Sequence, residues 1–168
     1  GNSVIALNNN ATHNKIQYCN LTTNAYDIMI VSFASAQDNI GNSHNKIAHN
    51  IISGMTDLYS LTSTGIYSGT SNTTTSNNHY DSIVNNQIFN FREYAIHAEI
   101  GASAWYIEGN SIYENLGNDA SNANRFFYGI KTEGTNANTL GGFTIVNNYI
   151  GGSAPLCGGS AFSMTNGN

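Results

Sequence analysis

A chain of 168 residues with five Lys+Arg against ten Asp+Glu has a formal net charge of −5, and only 9% of it is charged. So few cations cannot build a phosphate-tracking stripe, which excludes nucleic acid as an expected partner. No apolar run approaches the roughly 20 residues of a membrane span, and the 40% hydrophobic content falls in strict register, unlike a disordered Asn-rich tract.

In chain order the predicted elements recur. The first is Ser3-Val4, a small residue followed by an apolar one, and then Ile16–Cys19–Leu21, two aliphatics bracketing a small polar residue. The pair returns as Asp27-Ile28 with Ile47–Asn50–Ile52, then Gly65-Ile66 with Ile83–Asn86–Ile88. It returns again as Ala95-Ile96 with Ile107–Asn110–Ile112 and Gly129-Ile130 with Ile145–Asn148–Ile150, and Ala161-Phe162 opens a further copy. The first signal steps 4→28→66→96→130→162. Self-similarity at this period means stacked coils, because one turn cannot bury its apolar face alone. One domain over 1–168 is expected, with five coils at about 4–27, 28–65, 66–95, 96–129 and 130–162.

Stacked at the strand spacing of about 4.8 Å, the columns 16/47/83/107/145, 21/52/88/112/150 and 4/28/66/96/130/162 become three inward aliphatic stripes. The column Cys19, Asn50, Asn86, Asn110, Asn148 falls at a tight bend between two of them. Asn suits that bend, since it tolerates left-handed backbone and carries both donor and acceptor for rung-to-rung bonds. No helix competes: nothing repeats at helical spacing for more than a turn.

This pattern resembles the right-handed parallel β-helix repeat of the pectate-lyase-like superfamily with its internal asparagine ladder, over about residues 3 to 165. The resemblance implies an all-β solenoid of three strands per coil. It also implies that the Asn bend joins the second and third strands, and that the Gly-Ile strand is the first, whose outer face carries the substrate groove in the enzymes. The first rung departs from the family by offering Cys19. Fold alone does not name a function, because that superfamily holds lyases, hydrolases, adhesins and surface proteins.

An Asn-rich β-helix with three lysines suits an extracellular or cell-surface setting, and Gly1 reads as a mature or excised start. Sequons at Asn10, Asn20 and Asn72 are glycosylation candidates. Cys19 and Cys157 lie about four rungs, or roughly 19 Å, apart, too far for a bond within one molecule. Both ends fall at the same phase of the coil with no evident cap. Open strand edges of that kind are expected to pair with further copies of the chain, end to end, or with the rest of a longer β-helix.

One small group of charged residues and a histidine gathers in one place. With Ile96 and Ile130 inward, His97, Glu99, Lys131 and Glu133 turn outward on adjacent coils. His97 is then expected beside Lys131, and Glu99 beside Glu133. Stacked carboxylates repel unless a proton or cation is shared, and Ca²⁺ held by Glu99, Glu133 and an Asn is one solution. A lyase would add Lys131 or His97 as the base next to a Ca²⁺-neutralised uronate. The plain alternative is a solvated face in which Lys131 pairs its carboxylate neighbours. Arg92 and Arg125 are expected in loops, outside this column.

Lys15 and Lys46, each in His-Asn-Lys-Ile, are expected to stack as outward neighbours. Trp105, Tyr106, Phe143 and Tyr149 serve either as sugar-stacking rings or as packing. Coils of unequal length cannot hold an ice-binding threonine array, and no Gly-x-Ser-x-Gly nucleophile segment is present. The leading expectation is an extracellular structural β-helix module of a surface protein, adhesin or end-to-end filament, with no required cofactor and with polysaccharide contact on its outer faces. A Ca²⁺-assisted polysaccharide lyase or hydrolase fragment and a non-catalytic carbohydrate-binding module are the alternatives.

Overall fold

The computed structural model describes residues 3–23, 29–34, 41–54, 62–69, 78–99, 101–115, 127–133 and 141–161. Short strands follow the aliphatic pattern. The chain makes β1 (Ser3–Leu7), β2 (Lys15–Gln17) and β3 (Asn20–Thr22), then β4 (Met29–Ala34), β5 (Lys46–Ala48) and β6 (Ile51–Ser53). A third pass holds β7 (Thr62–Gly69), β8 (Asn78–His79), β9 (Ser82–Val84) and β10 (Gln87–Phe89). The fourth holds β11 (Phe91–Ala98), β12 (Ala102–Ser103), β13 (Tyr106–Glu108) and β14 (Ser111–Tyr113), and the fifth β15 (Tyr128–Thr132), β16 (Thr144–Val146) and β17 (Tyr149–Ile150). Among the described residues the only helical segment is a 3-10 turn, Pro155–Cys157.

Three five-stranded sheets result, ordered β1-β4-β7-β11-β15, β2-β5-β9-β13-β16 and β3-β6-β10-β14-β17, with β8 and β12 forming a two-stranded fourth. Every strand pairing in them is parallel. The fold is therefore all-β with parallel sheets, compatible with a β-solenoid. The third and fourth passes add a short strand to the expected three.

In the second sheet Ile16, Ile47, Ile83, Ile107 and Ile145 are in register. In the third, Leu21, Ile52, Ile88, Ile112 and Ile150 are. The inner members of both columns are fully buried, whereas Ile145 and Ile150 are 45% and 49% exposed. Parallel strands buried on one face in this way are held by stacked aliphatics of matched shape.

The first sheet corrects the expected phase. Its paired column is Ile5, Val31, Ile66, Ile96 and Ile130. Val4 is exposed, and Ile28 and Phe162 lie outside the described residues. The small residue before the column has a steric cause where it occurs. A Cβ on Gly65 would sit 2.7 Å from the Ala95 carbonyl oxygen and 2.8 Å from Ile88 Cγ2, and one on Gly129 would sit 2.7 Å from Ile150 Cγ2. In the first two passes Val4 and Ile30 hold the equivalent place, so no small residue marks the strand there.

Polar side chains link the passes at the bends. The Cys19 N–H donates to Asn50 Oδ1 at 2.9 Å. The backbone N–H and Nδ2 of Asn50 both donate to Asn86 Oδ1 at 3.0 and 3.1 Å. Asn86 does the same to Asn110, and Asn110 to Asn148. Each Nδ2 also donates to a carbonyl of an earlier pass: Ile16, Ile47, Ile83 and Ile107 in turn. A second set runs Asn14–Asn45–Asp81 and a third joins Asn42 to Asn78. The buried amides Asn50, Asn86 and Asn110 thereby meet the demand that polar groups inside a protein be paired.

Candidate functional site

The charged cluster rides on the outer side of the first sheet. Register places Tyr67, His97 and Lys131 side by side on β7, β11 and β15. Glu99 and Glu133 follow at the strand ends, their N–H groups donating to the Ser68 and Ala98 carbonyls at 2.8 Å each. The pairing thus extends far enough to fix both carboxylates.

His97 is the hub. Its Nε2 lies 2.6 Å from Glu133 Oε1 and 3.8 Å from Glu99 Oε1. The remaining carboxylate oxygens are held from outside, Glu99 Oε2 by the Tyr67 hydroxyl at 2.7 Å and Glu133 Oε2 by Lys131 Nζ at 2.9 Å. Tyr94 stacks on the His97 ring at 4.1 Å between centroids, and Tyr67 meets it edge-on at 5.6 Å. Lys131 Nζ also sits about over the Tyr94 and Tyr128 rings, 5.0 and 5.1 Å from their centroids.

The expected solvated face is therefore corrected at its centre: His97 is only 4% exposed, covered by two tyrosine rings. The expected neighbour pairing of His97 with Lys131 holds on the backbone, but the imidazole nitrogen turns to the carboxylates. Electrostatics follow the contacts. The Lys131 hydrogen bond, joined by that of His97, holds the Glu133 carboxyl below its ordinary range. The same Glu133 bond raises Lys131, and a more firmly held proton makes Lys131 a poorer general base. Burial and then the Glu99 hydrogen bond push the Tyr67 phenol upward.

Tyr67 was not among the expected members of this cluster, although it follows Ile66 as His97 follows Ile96, and that shared spacing was the available signal. Gly69 makes room for it: a Cβ there would collide with the Tyr67 hydroxyl and stand 2.8 Å from Glu99 Oε2. Arg92, expected in a loop, lies in β11, and Arg125 falls outside the described residues.

Other candidates separate cleanly. Trp105 is fully buried, donates Nε1–H to the Asn78 carbonyl at 3.0 Å and packs on Phe33; it is core, not a sugar platform. Phe143 is half-buried near it, while Tyr106 and Tyr149 are exposed. Lys15 and Lys46 are paired neighbours. Asn20 is exposed, Asn10 has a buried Oδ1 without a partner, and Asn72 lies outside the described residues. Cys19 and Cys157 are both free thiols.

A second outer feature escaped the sequence. Residues just before the rung-linking positions take left-handed backbone: His13, His44 and Tyr80 in one line, before Asn14, Asn45 and Asp81, and Tyr18, His49 and Asn85 in another, before Cys19, Asn50 and Asn86. Side chains launched from equivalent bends stack, His13 on His44 at 5.0 Å and Tyr18 on His49 at 5.1 Å. Tyr80 joins the first stack at 5.3 Å from His44. Lys15 and Lys46 stand between the two lines. The repeated His-Asn-Lys-Ile was the available signal.

No family model matches the chain, and neither a curated protein nor a solved structure matches it.

Proposed function

We propose that this chain is an extracellular structural β-helix module of a surface protein, adhesin or filament, built of right-handed three-strand coils over an internal asparagine ladder. The single observation that carries this reading is the change along the aliphatic columns. Ile107 and Ile112 are fully buried, yet their partners in the next rung, Ile145 and Ile150, are 45% and 49% exposed on edge strands. Exposed apolar residues beside strand edges that pair with no further strand among the described residues favour the addition of another rung. A second copy or the rest of a longer β-helix would supply it, and a heterologous joint of that kind propagates as a rod.

Sedimentation velocity with electron microscopy tests the stacking. Rods that lengthen with concentration are expected, and Ile150→Asp is expected to leave single modules. A wild-type chain that stays monomeric at every concentration would rule out the self-stacking form.

The stacked rings of Tyr18/His49 and His13/His44/Tyr80 support carbohydrate contact on the side of the module, since exposed aromatic faces suit sugar rings. A Ca²⁺-assisted lyase at His97, Glu99, Lys131 and Glu133 remains the enzyme alternative, weakened by the raised Lys131. Absorbance from an unsaturated uronate product would establish it.

A further inference from the structure

We infer that His97, Glu99 and Glu133 form a binding site for a divalent metal ion of the zinc class, with one imidazole and two carboxylate ligands and an open position toward solvent. This goes beyond the structural role and does not depend on it.

The ligand atoms already converge. His97 Nε2 and one oxygen from each carboxylate all lie within 4.8 Å of one another. Four-coordinate zinc, at about 2.0–2.2 Å from N and O ligands, sets ligand atoms roughly 3.4 Å apart. The 3.8 Å from Nε2 to Glu99 Oε1 nearly meets that spacing. The 2.6 Å from Nε2 to Glu133 Oε1 is a hydrogen bond. A metal takes the place of that contact on the Nε2 lone pair, with the imidazole in its Nδ1–H tautomer, and the gap opens by roughly 1 Å.

The surroundings are what a metal site needs. In each carboxylate one oxygen faces His97 while the other is tied back, by the Tyr67 hydroxyl for Glu99 and by Lys131 for Glu133. Such outer contacts orient ligands and are themselves costly to lose. Tyr94 and Tyr67 clamp the buried imidazole, so its nitrogen is pre-aimed. The Glu side chains are 35% and 42% exposed, which leaves a path for the ion and a place for water. Two carboxylates outnumber the single Lys131 ammonium beside them, so a dication is still attracted.

The donor set also chooses the ion. Calcium takes six to eight oxygens, and among the described residues only two carboxylates are present with the imidazole. Imidazole nitrogen suits zinc, cobalt and their neighbours. The expected Ca²⁺ between Glu99 and Glu133 is thus replaced, in this proposal, by a smaller ion that also uses His97. It would tie the end of β11 to the segment after β15.

The test uses the full chain freed of metal by a chelator and titrated with Co²⁺, read by visible absorption, then with Zn²⁺ by calorimetry. One ion per chain is expected, with Zn²⁺ displacing Co²⁺, millimolar Ca²⁺ failing to displace it, and the melting temperature rising with Zn²⁺. Glu99→Gln and Glu133→Gln, which keep shape, should each weaken affinity at least about tenfold, and Tyr67→Phe about tenfold through the loosened Glu99. His44→Ala should change nothing. Binding that survives both Gln variants, that follows His44, that Ca²⁺ competes away, or that is absent with wild-type secondary structure intact overturns the site.

Discussion

Asp81 accepts two hydrogen bonds from Asn45 on a single oxygen, the backbone N–H at 2.8 Å and Nδ2 at 3.0 Å, while its other oxygen is buried with no partner. In the equivalent column Asn86 uses its second polar atom, Nδ2, to donate. A carboxyl has been placed where the pattern calls for an amide. Burial, only partly offset by the Asn45 bonds, raises its pKa from 3.8 to about 7.

The consequence is a stability that falls with pH. Because the folded pKa lies above the unfolded one, the full contribution is present below about pH 4. It is lost as pH rises through about 7, reaching on the order of 4 kcal/mol. Asp81→Asn should abolish that slope and make the protein more stable than wild type at pH 8. Denaturant unfolding from pH 4 to 9 measures both, and superimposable curves would refute the assignment.

Asn86, matched in contacts and burial by Asn110, should be among the costliest of the bend amides to remove. Alanine there strips the acceptor from two Asn50 donors and the donor from the Ile47 carbonyl. A loss of roughly 3–5 kcal/mol is expected, since each buried orphan costs about 1–3. Asn148→Ala, on a half-buried edge rung, should cost about 1–2 kcal/mol. Conversely, Cys19→Asn adds a donor toward Asn50 Oδ1 and should stabilise by about 1 kcal/mol. Urea midpoints in this order support the account; an equal loss at 86 and 148 contradicts it.

Gly65 should resist any side chain. A Cβ would press on a backbone oxygen and on Ile88, so Gly65→Ala is expected to cost about 1–3 kcal/mol and Gly65→Val more. Ala95→Gly, one pass later, should cost only about 0.5–1 kcal/mol through backbone entropy. A tolerated valine at 65, judged by thermal melting, would show that the two sheets approach less closely.

Tyr18 and Tyr80, 79% and 58% exposed, belong to the stacked outer bends and touch no core. Replacing both by Ala should change stability by less than about 0.5 kcal/mol while reducing retention on a glycan array. Undiminished retention would move any carbohydrate contact to another face.

Two of the three aliphatic columns could be read directly from the chain, because Ile-x-x-Asn-x-Ile spans one bend of fixed length and admits no insertion. The same rigidity exposed the column Cys19 to Asn148. The first sheet was misphased at Val4, and Val31 pairs in the column of the second pass, for the connections from Leu21 to Val31, Ile52 to Ile66, Ile88 to Ile96 and Ile112 to Ile130 differ in length. Its small-residue marker is also missing where Val4 and Ile30 stand. Local spacing thus determined the parallel all-β class and which isoleucines pair. Spacing also brought His97, Glu99, Lys131 and Glu133 to one outer face, and the tertiary structure decided how their side chains pair there. Tyr67 reaches Glu99 from the preceding pass, His97 turns from Lys131 to the carboxylates beneath two tyrosines, and Trp105 goes inside. Register sets which groups meet, and side-chain packing across passes then selects their partners; neither is encoded in any single repeat.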